Sequence, residues 1–371
     1  MSNIDHIFIY LLLYISLIVT DYIIRKQHNK KIIPILYLIP ILIYIFVEGS
    51  RYGRGVDYFG YGPNYINSIK TDQPVFDKLN EIILAFDLST DLPYGICFHA
   101  YATIFILSLF KLYNEFRYNT KFFLLLACLA TLYMTEWTIR QGVSLSFVLP
   151  AIYYLDNKKY IWCIVFLLLS IFTHYGNTLS ITLLLFCYFF LNKKPLPIKL
   201  TIPLYLILLF SFSSLLPYIN DKISSLNLSF LGGNFQGYIN NSSLSFGSEA
   251  ITEEWKRGTF QQILTTSFNC GIIIIGYYFH KLFNEKVYIY NTFIFGILVV
   301  EPFHLIGNLT RIFLLASVLW FIPVSLAVYK WNIIKTRKIV QISGFLVFTY
   351  LLLYYGRYVF LNPSANYVWN L

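Results

Sequence analysis

The chain has 371 residues, of which 57% are hydrophobic and only 12% are charged, and its mean hydropathy is +0.61. A soluble globular protein cannot cover so much apolar surface with so few charged groups, so the composition excludes that class and predicts an integral membrane protein. The net charge of +10 comes largely from lysines in short connections between apolar runs. It therefore indicates membrane topology rather than nucleic-acid binding.

Apolar runs recur along the chain and predict an all-α polytopic membrane protein with about twelve transmembrane helices. Together they form a single transmembrane domain covering residues 1–371, with two long loops at 49–93 and 218–258. The first run lacks the basic segment and the small-residue cleavage site of a signal peptide. The predicted spans are 4–24, 32–48, 94–112, 122–137, 143–155, 160–173, 177–191, 199–217, 260–280, 287–303, 311–329 and 339–356.

Assigning successive loops to alternate faces separates the basic residues by type. Most lysines fall on one face, which the positive-inside rule makes cytoplasmic, so both termini are predicted to be extracytoplasmic. Most arginines fall on the other face, against that rule. Because guanidinium groups bind phosphate and carboxylate oxygens in bidentate fashion, this asymmetry predicts an anionic ligand at the outer face. The outer arginines are Arg51, Arg54, Arg140, Arg257, Arg311 and Arg357.

The first outer loop opens with a charged, glycine-spaced segment, Arg51-Tyr-Gly-Arg-Gly-Val-Asp-Tyr58. The glycines allow a tight turn or close approach to a ligand, and Arg51 and Arg54 can grip a diphosphate. Asp57 can orient one of these arginines. A solvated loop with a simple Arg–Asp ion pair explains the same residues, so both interpretations stay open at this point.

Two polar turns interrupt the middle of the chain, Thr138-Ile-Arg140-Gln141-Gly142 and His174-Tyr-Gly-Asn177. Each lies inside an apolar hairpin whose halves of about 16 residues reach only about 24 Å, less than the bilayer core. Arg140 and His174 are therefore predicted in a recess below the outer surface. A histidine there can accept a proton near neutral pH, although a snorkelling arginine and a structural histidine are the simpler alternatives.

The last third of the chain carries a further polar set. Glu301-Pro-Phe-His304 precedes Arg311, and Trp255 and Arg257 lie in a charged segment before a span. The proline interrupts regular helix, and one glutamate with one histidine are too few ligands for a metal site, so no metal is expected. Patterns typical of P-loop ATPases, zinc proteases and serine hydrolases do not occur in the sequence.

Three of these segments resemble the EpsG family of Wzy-type polysaccharide polymerases. They are Arg51 to Tyr58, similar to an R-x-x-x-G-x-D-Y pattern; the order Arg140-Gln-Gly-Val, Ala151 to Leu155, Lys159-Tyr160 and Phe172-Thr-His174; and Asn308-Leu-Thr-Arg311 leading to Ile322-Pro323. The similarity spans roughly residues 45–325. Where relatives often have His-x-Ser, this chain has Gly176 after His174.

The resemblance implies a glycosyltransferase with an architecture like the GT-C class. Its donor and acceptor are oligosaccharide repeat units linked to undecaprenyl pyrophosphate, joined into an O-antigen, capsule or exopolysaccharide at the outer face of the bacterial plasma membrane. Cleavage of the glycosyl–pyrophosphate bond supplies the energy, so no cofactor is expected. A flippase and a chain-length regulator are implied partners, and membrane lipid surrounds the protein. A lipid-linked oligosaccharide flippase or other transporter, and an O-antigen-type ligase, are the alternative functions.

On this hypothesis Arg51, Arg140 and Arg311 bind the donor pyrophosphate. His174 is favoured over Asp57 as the base that deprotonates the acceptor hydroxyl, because a neighbouring arginine makes the aspartate a poor base. A sugar could stack on Tyr58, Tyr61 or Trp255. The secondary candidates are Arg54, Tyr58, Gln141, Glu301, His304, Trp255 and Arg257.

Overall fold

In the described part of the computed structural model, the regular elements are helices apart from one pair of two-residue strands. The structure describes residues 3–27, 29, 31–53, 58–67, 69–86, 96–211, 222, 257–361 and 366–367. Every predicted apolar run coincides with a helix over most of its length, and the run at 311–329 is divided between two helices. The prediction of an all-α fold is confirmed.

Among the residues that the structure describes, four stretches are long and apolar enough to cross a membrane, and six other apolar helices have only 10–17 residues. A helix of 14 residues, such as Phe123–Glu136 or Tyr160–Thr173, is about 21 Å long, so it falls short of the roughly 30 Å hydrocarbon core. The helices on either side of His174, Tyr160–Thr173 and Thr178–Phe190, are short as predicted. The helix that carries Arg140, Ile139–Asp156, has 18 residues and is therefore about 27 Å long, more than the predicted span of 143–155. The four long stretches are His6–Lys26, Thr259–Phe283, Thr310–Tyr329 and Lys338–Phe360.

The chain divides into two compact units. Unit 1 comprises Met1–Thr178, Val324–Ile333 and Phe348–Leu371. Its helices are α1 (Asn3–Lys26), α2 (Ile33–Gly49), α3 (Tyr58–Ile66), α4 (Pro74–Phe86), α5 (Cys97–Phe116), α6 (Phe123–Glu136), α7 (Ile139–Asp156) and α8 (Tyr160–Thr173), followed by a 3₁₀ turn at Tyr175–Asn177.

Unit 2 comprises Leu179–Pro323 and Ile334–Val347. Its asparagine Asn291 donates to the carbonyls of Leu191 and Lys194 and accepts from the Leu196 amide, which fixes the connection between two helices. The remaining helices in the described part of the chain are α9 (Thr178–Phe190), α10 (Ile198–Phe210), α11 (Thr259–Phe283), α12 (Val287–Val300), α13 (Gly307–Val318), α14 (Phe321–Tyr329), α15 (Trp331–Ile334) and α16 (Lys338–Leu361).

The segment predicted as a long loop at 49–93 contains two helices, α3 and α4. Pro74 suits the first turn of α4, where its missing N–H leaves no bond unmade. Phe76 and Ile83 are seven positions apart, so they lie on one side of the helix, and both are buried against Tyr58, Tyr65, Tyr101 and Val143. Part of this loop is therefore a packed element of unit 1 that lies against α5 and α7.

A short antiparallel strand pair joins distant parts of unit 1. Strand β1 (Arg51–Tyr52) follows α2 and pairs with β2 (Asn366–Tyr367), with Arg51 opposite Tyr367. The backbone on either side of the Arg51 side chain is thereby fixed.

Candidate functional site

Arg51 is buried in unit 1, and its guanidinium contacts other groups of the protein. Its side chain is only 3% exposed. Its Nη1 lies 3.4 Å from Oε2 of Glu48, its Nη2 donates to the carbonyl of Thr135 at 2.8 Å, and its guanidinium lies 5.4 Å from the centre of the Phe98 ring. This buried and partnered setting links the end of α2 to the end of α6.

Two buried glutamates surround that link. Tyr10 of α1 contacts Glu48 at 3.2 Å and Glu136, the last residue of α6, at 2.8 Å. Tyr358 of α16 also donates to Glu136. A buried carboxylate is costly unless it is hydrogen-bonded. The hydrogen bonds from these tyrosines therefore stabilise Glu136 in its buried position, four residues before Arg140. The cluster holds the ends of α1, α2, α6 and α16 together.

Arg140 occupies the first turn of α7 and is partly exposed. Its Nε donates to the hydroxyl of Tyr61, whose ring also lies 5.2 Å from the guanidinium carbon. With the Gln73 amide oriented to satisfy both of its groups, the amide oxygen accepts from Arg140 Nη1 at 3.2 Å. Within the described part of the chain, Arg140 forms no ion pair. Its positive charge is therefore uncompensated by the described residues.

His174 caps the end of α8, where an extended backbone replaces the helix. Its amide still donates to the Ser170 carbonyl at 3.0 Å, and its carbonyl accepts from the Asn177 amide at 3.0 Å. Gly176 packs against the imidazole so closely that a β-carbon there would lie 2.7 Å from Nε2. The missing side chain at position 176 therefore makes room for the histidine ring.

A buried polar network fixes the turn that carries His174. Ser144 of α7 contacts the Ser170 hydroxyl at 2.7 Å and accepts from the side-chain amide of Asn177 at 2.8 Å. All three side chains are fully buried. Since buried hydroxyl and amide groups keep their partners, the network holds the start of α7 and the end of α8 in register, and with them Arg140 and His174.

Arg140 and the His174 turn come together through Gln73. The same Gln73 amide whose oxygen faces Arg140 donates through its nitrogen to the carbonyl of Thr173, the residue before His174. The structure thus places Arg140 and the residue before His174 on the two sides of one amide group. Arg51 lies near the same helix ends, since its acceptor Thr135 precedes Arg140 by five positions.

Two secondary candidates lie in the core of unit 1. Tyr58 is fully buried and its ring stacks on Phe98, with centroids 4.6 Å apart and planes 9° from parallel. Gln141 is 2% exposed. Tyr58 therefore packs in the core, and the face of its ring that stacks on Phe98 is not open to a ligand. Tyr61 is the aromatic residue of this segment that contacts Arg140.

Four of the candidates belong to unit 2, namely Arg257, Glu301, His304 and Arg311. Arg257, next to the start of α11, pairs with Glu301 at 2.6 Å. The Glu301 carbonyl lies 2.9 Å from Nδ1 of His304, within the break between α12 and α13 that Pro302 was predicted to cause. Burial lowers the pKa of His304, and the charge of Arg257 lowers it further. Arg311 lies in the second turn of α13 and is partly exposed.

Three candidates fall outside the described residues, namely Arg54, Asp57 and Trp255. Among the residues that the structure does describe, no three His, Cys, Asp or Glu side chains are grouped so that they could hold a metal ion.

The family model of the EpsG family matches residues 34–370 of the chain. This protein belongs to the EpsG family. The EpsG family is a family of Wzy-type polymerases, so membership associates the chain with polysaccharide polymerisation. Comparison with curated proteins and with solved structures gave no match.

Sequence reasoning missed several residues of the site in this EpsG-family protein. Gln73 is a neutral residue without a motif, and the two groups it joins, Arg140 and the Thr173 carbonyl, lie far from it in sequence. The signal available in the sequence was Pro74 followed by apolar residues at helical spacing, which would have placed a helix start directly after Gln73. Glu48 and Glu136 were visible as rare acidic residues at span ends, but their shared tyrosine is 38 positions from one and 126 from the other.

Proposed function

We propose that this protein is a glycosyltransferase that joins repeat units linked to undecaprenyl pyrophosphate into a surface polysaccharide. The reaction would occur at the outer face of the bacterial plasma membrane, on a scaffold of about twelve spans with GT-C-like architecture. Family membership supports polymerisation in general. The substrate, the face and the residue roles are parts of the proposal.

The observation that carries the proposal is the state of Arg140. Its guanidinium is partly exposed, is oriented by two neutral acceptors and faces no described carboxylate. Arg51 and Arg257, by contrast, each pair with a glutamate. An arginine that is held in place while its charge is left uncompensated is suited to bind a phosphate, because a charge-assisted hydrogen bond contributes about 1.5–3 kcal/mol.

The proposed reaction is a direct displacement. The acceptor sugar hydroxyl attacks the anomeric carbon of the donor, a carbon–oxygen bond forms, and the bond from that carbon to the pyrophosphate oxygen breaks. The electron pair leaves with the undecaprenyl pyrophosphate, whose developing charge Arg140 stabilises. His174 accepts the proton of the hydroxyl. Arg311 is a further candidate for the pyrophosphate, and Arg51 supports the site from its buried position.

Reconstituted polymerisation tests this function. Purified protein in liposomes receives a defined lipid-linked repeat unit, and product length is read by gel electrophoresis. We expect Arg140→Ala to lower the rate by about 10²-fold or more, as for loss of one donor to a developing anion, and Arg140→Lys to recover only part of it because the forked geometry is lost. His174→Ala should lower the rate by roughly 10²–10⁴-fold.

Arg117→Ala is the matched control. Arg117 directly follows α5, a helix of 20 residues whose other end carries Phe98 against Arg51, so about 30 Å separates it from the site along that helix. It should leave the rate unchanged. Wild-type product from both Arg140→Ala and His174→Ala would rule out the proposed roles, and export of intact repeat units without elongation would favour the flippase.

A further inference from the structure

The acceptors that orient Arg140 both belong to the segment between α2 and α5. Tyr61 lies on α3 and takes the Nε hydrogen, and Gln73 directly precedes α4 and takes a hydrogen of Nη1. Both are neutral. A carboxylate in either place would hold the guanidinium equally well but would neutralise it, as Glu48 does for Arg51. The choice of neutral acceptors keeps the charge available to an anion.

Gln73 is itself firmly placed. Its carbonyl accepts the first helical hydrogen bond of α4, from the Asp77 amide at 2.9 Å. Asp77 in turn accepts from the amide and the hydroxyl of Thr71, two residues before Gln73, at 2.9 and 2.7 Å. Phe76, one turn into α4, is fully buried. The position of Gln73 is thus set by the start of α4 and does not depend on Arg140 alone.

Gln73 also contacts the second polar turn. Its amide nitrogen donates to the carbonyl of Thr173, which lies directly before His174. One side chain therefore joins the first turn of α7 to the last turn of α8. A glutamine can do this because its amide is an acceptor on one side and a donor on the other, whereas a glutamate has no hydrogen to give to Thr173.

We propose that Gln73 is a positioning residue of the transferase: it fixes the spacing between Arg140 and His174 and keeps the guanidinium uncompensated, so that the donor pyrophosphate is its counter-ion. The inference rests on the proposed function, because it gives the pyrophosphate site a second protein determinant. Gln73 does not contact the reacting atoms in this scheme and acts through Arg140 and the His174 turn.

Two substitutions separate charge from position. Gln73→Glu keeps the size and the contact with Arg140 but adds a negative charge. We expect the KM for the lipid-linked donor and the Ki for inorganic pyrophosphate to rise by about tenfold or more, since an internal counter-ion competes with the phosphate. Gln73→Met removes both hydrogen bonds without adding charge, and kcat should fall several-fold while the donor KM changes little.

Asn80→Asp is the control for added charge. Asn80 lies on the same helix, seven positions after Gln73, and its Oδ1 accepts from the Tyr101 hydroxyl at 2.5 Å. The aspartate would keep that bond, and Asn80 makes no contact with Arg140, so donor KM and pyrophosphate Ki should match the wild type. A melting curve of each variant reports on folding.

The outcomes distinguish the two levels of the argument. A wild-type protein that fails to polymerise the lipid-linked units overturns the proposed function. If the wild type is active, two results would overturn the role of Gln73 alone. One is a pyrophosphate Ki of Gln73→Glu equal to that of Asn80→Asp, and the other is a wild-type kcat in Gln73→Met. Should Gln73→Glu fail to fold, Gln73→Met and Tyr61→Phe decide, because unchanged kcat in both contradicts orientation of Arg140 by these groups.

Discussion

At the level of single residues, the candidate arginines have two kinds of partner. Arg51 and Arg257 are tied to glutamates, and Arg140 is tied to neutral groups. Removing Glu48 or Glu301 would take the ion-pair partner from an arginine at a partly or fully buried position, which is destabilising. Removing Gln73 or Tyr61 would leave the charge of Arg140 unchanged and alter only the orientation of its guanidinium group. The same residue type therefore serves stability in one place and, on our proposal, catalysis in another.

Gly176 gives a prediction at this scale. A β-carbon at position 176 would lie 2.7 Å from Nε2 of His174, so the imidazole must move, and rotation about its side-chain bonds allows this without a shift of the backbone. We expect Gly176→Ala to change the melting temperature little but to lower the polymerisation rate by about tenfold or more, if His174 is the base. Circular-dichroism melts and the reconstituted assay provide the two readings.

Gly356→Ala is the control for that experiment, because nothing lies within 4 Å of a β-carbon built there. Activity and melting temperature should both match the wild type. Equal activity in Gly176→Ala and the wild type would show that the ring position seen here is not required for transfer, and would count against His174 as the base.

At the level of helices, the corner between α6 and α7 is closely packed. A β-carbon at Gly142 would lie 2.6 Å from the Met134 carbonyl oxygen and 3.1 Å from the Thr135 α-carbon. These are backbone atoms, which cannot swing away as a side-chain end can. The carbonyl of Thr135 holds Arg51 and the first turn of α7 carries Arg140, so this one contact sets both positions.

Gly142→Ala should therefore be destabilising. Alanine is favoured over glycine within a helix by up to about 1 kcal/mol, but overpacking typically costs about 1–3 kcal/mol, so the overpacking is expected to prevail. The melting temperature should fall and the pyrophosphate Ki should rise as α6 and α7 separate. Gly60→Ala, on an open part of α3, is the control, and a Gly142→Ala protein at least as stable as the wild type would contradict the tight corner.

The helices were predictable from the sequence to different degrees. Long apolar runs such as 4–24 and 160–173 gave helices α1 and α8 within a few residues, because burial and lipid exposure both require continuous apolar sequence. Helix α4 was missed because Lys78 and Glu81 on its exposed side make it look like an ordinary loop. The polar turns at Arg140 and His174 were identified because ionisable groups inside apolar runs are costly, whereas the neutral Gln73 carries no such signal.

At the level of the whole molecule, the distribution of apolar side chains indicates where lipid lies. Only 17% of the most apolar stretch of α16 is buried, and Phe345 and Phe348 are 68% and 63% exposed. In water so many exposed aromatic and aliphatic groups would drive aggregation. In a bilayer they need no further protein cover, which agrees with the composition of the chain.

Phe348 lies near the middle of α16 and tests that assignment. A lysine at the centre of a membrane helix costs about 2.5–3.5 kcal/mol on insertion scales. Phe348→Lys should therefore lower the fraction of protein that resists extraction from membranes with carbonate, whereas Phe348→Leu should not. Equal extraction of Phe348→Lys and the wild type would place this surface away from lipid.

The organisation of the segment from α3 to α4 has a practical consequence. Two of its residues, Tyr61 and Gln73, accept hydrogen bonds from Arg140. Replacing this region with that of a relative, in order to change the sugar specificity, would also replace the two groups that orient the Arg140 guanidinium. A working chimaera should retain Tyr61 and Gln73 with the register of α4, and exchange only the surface around them.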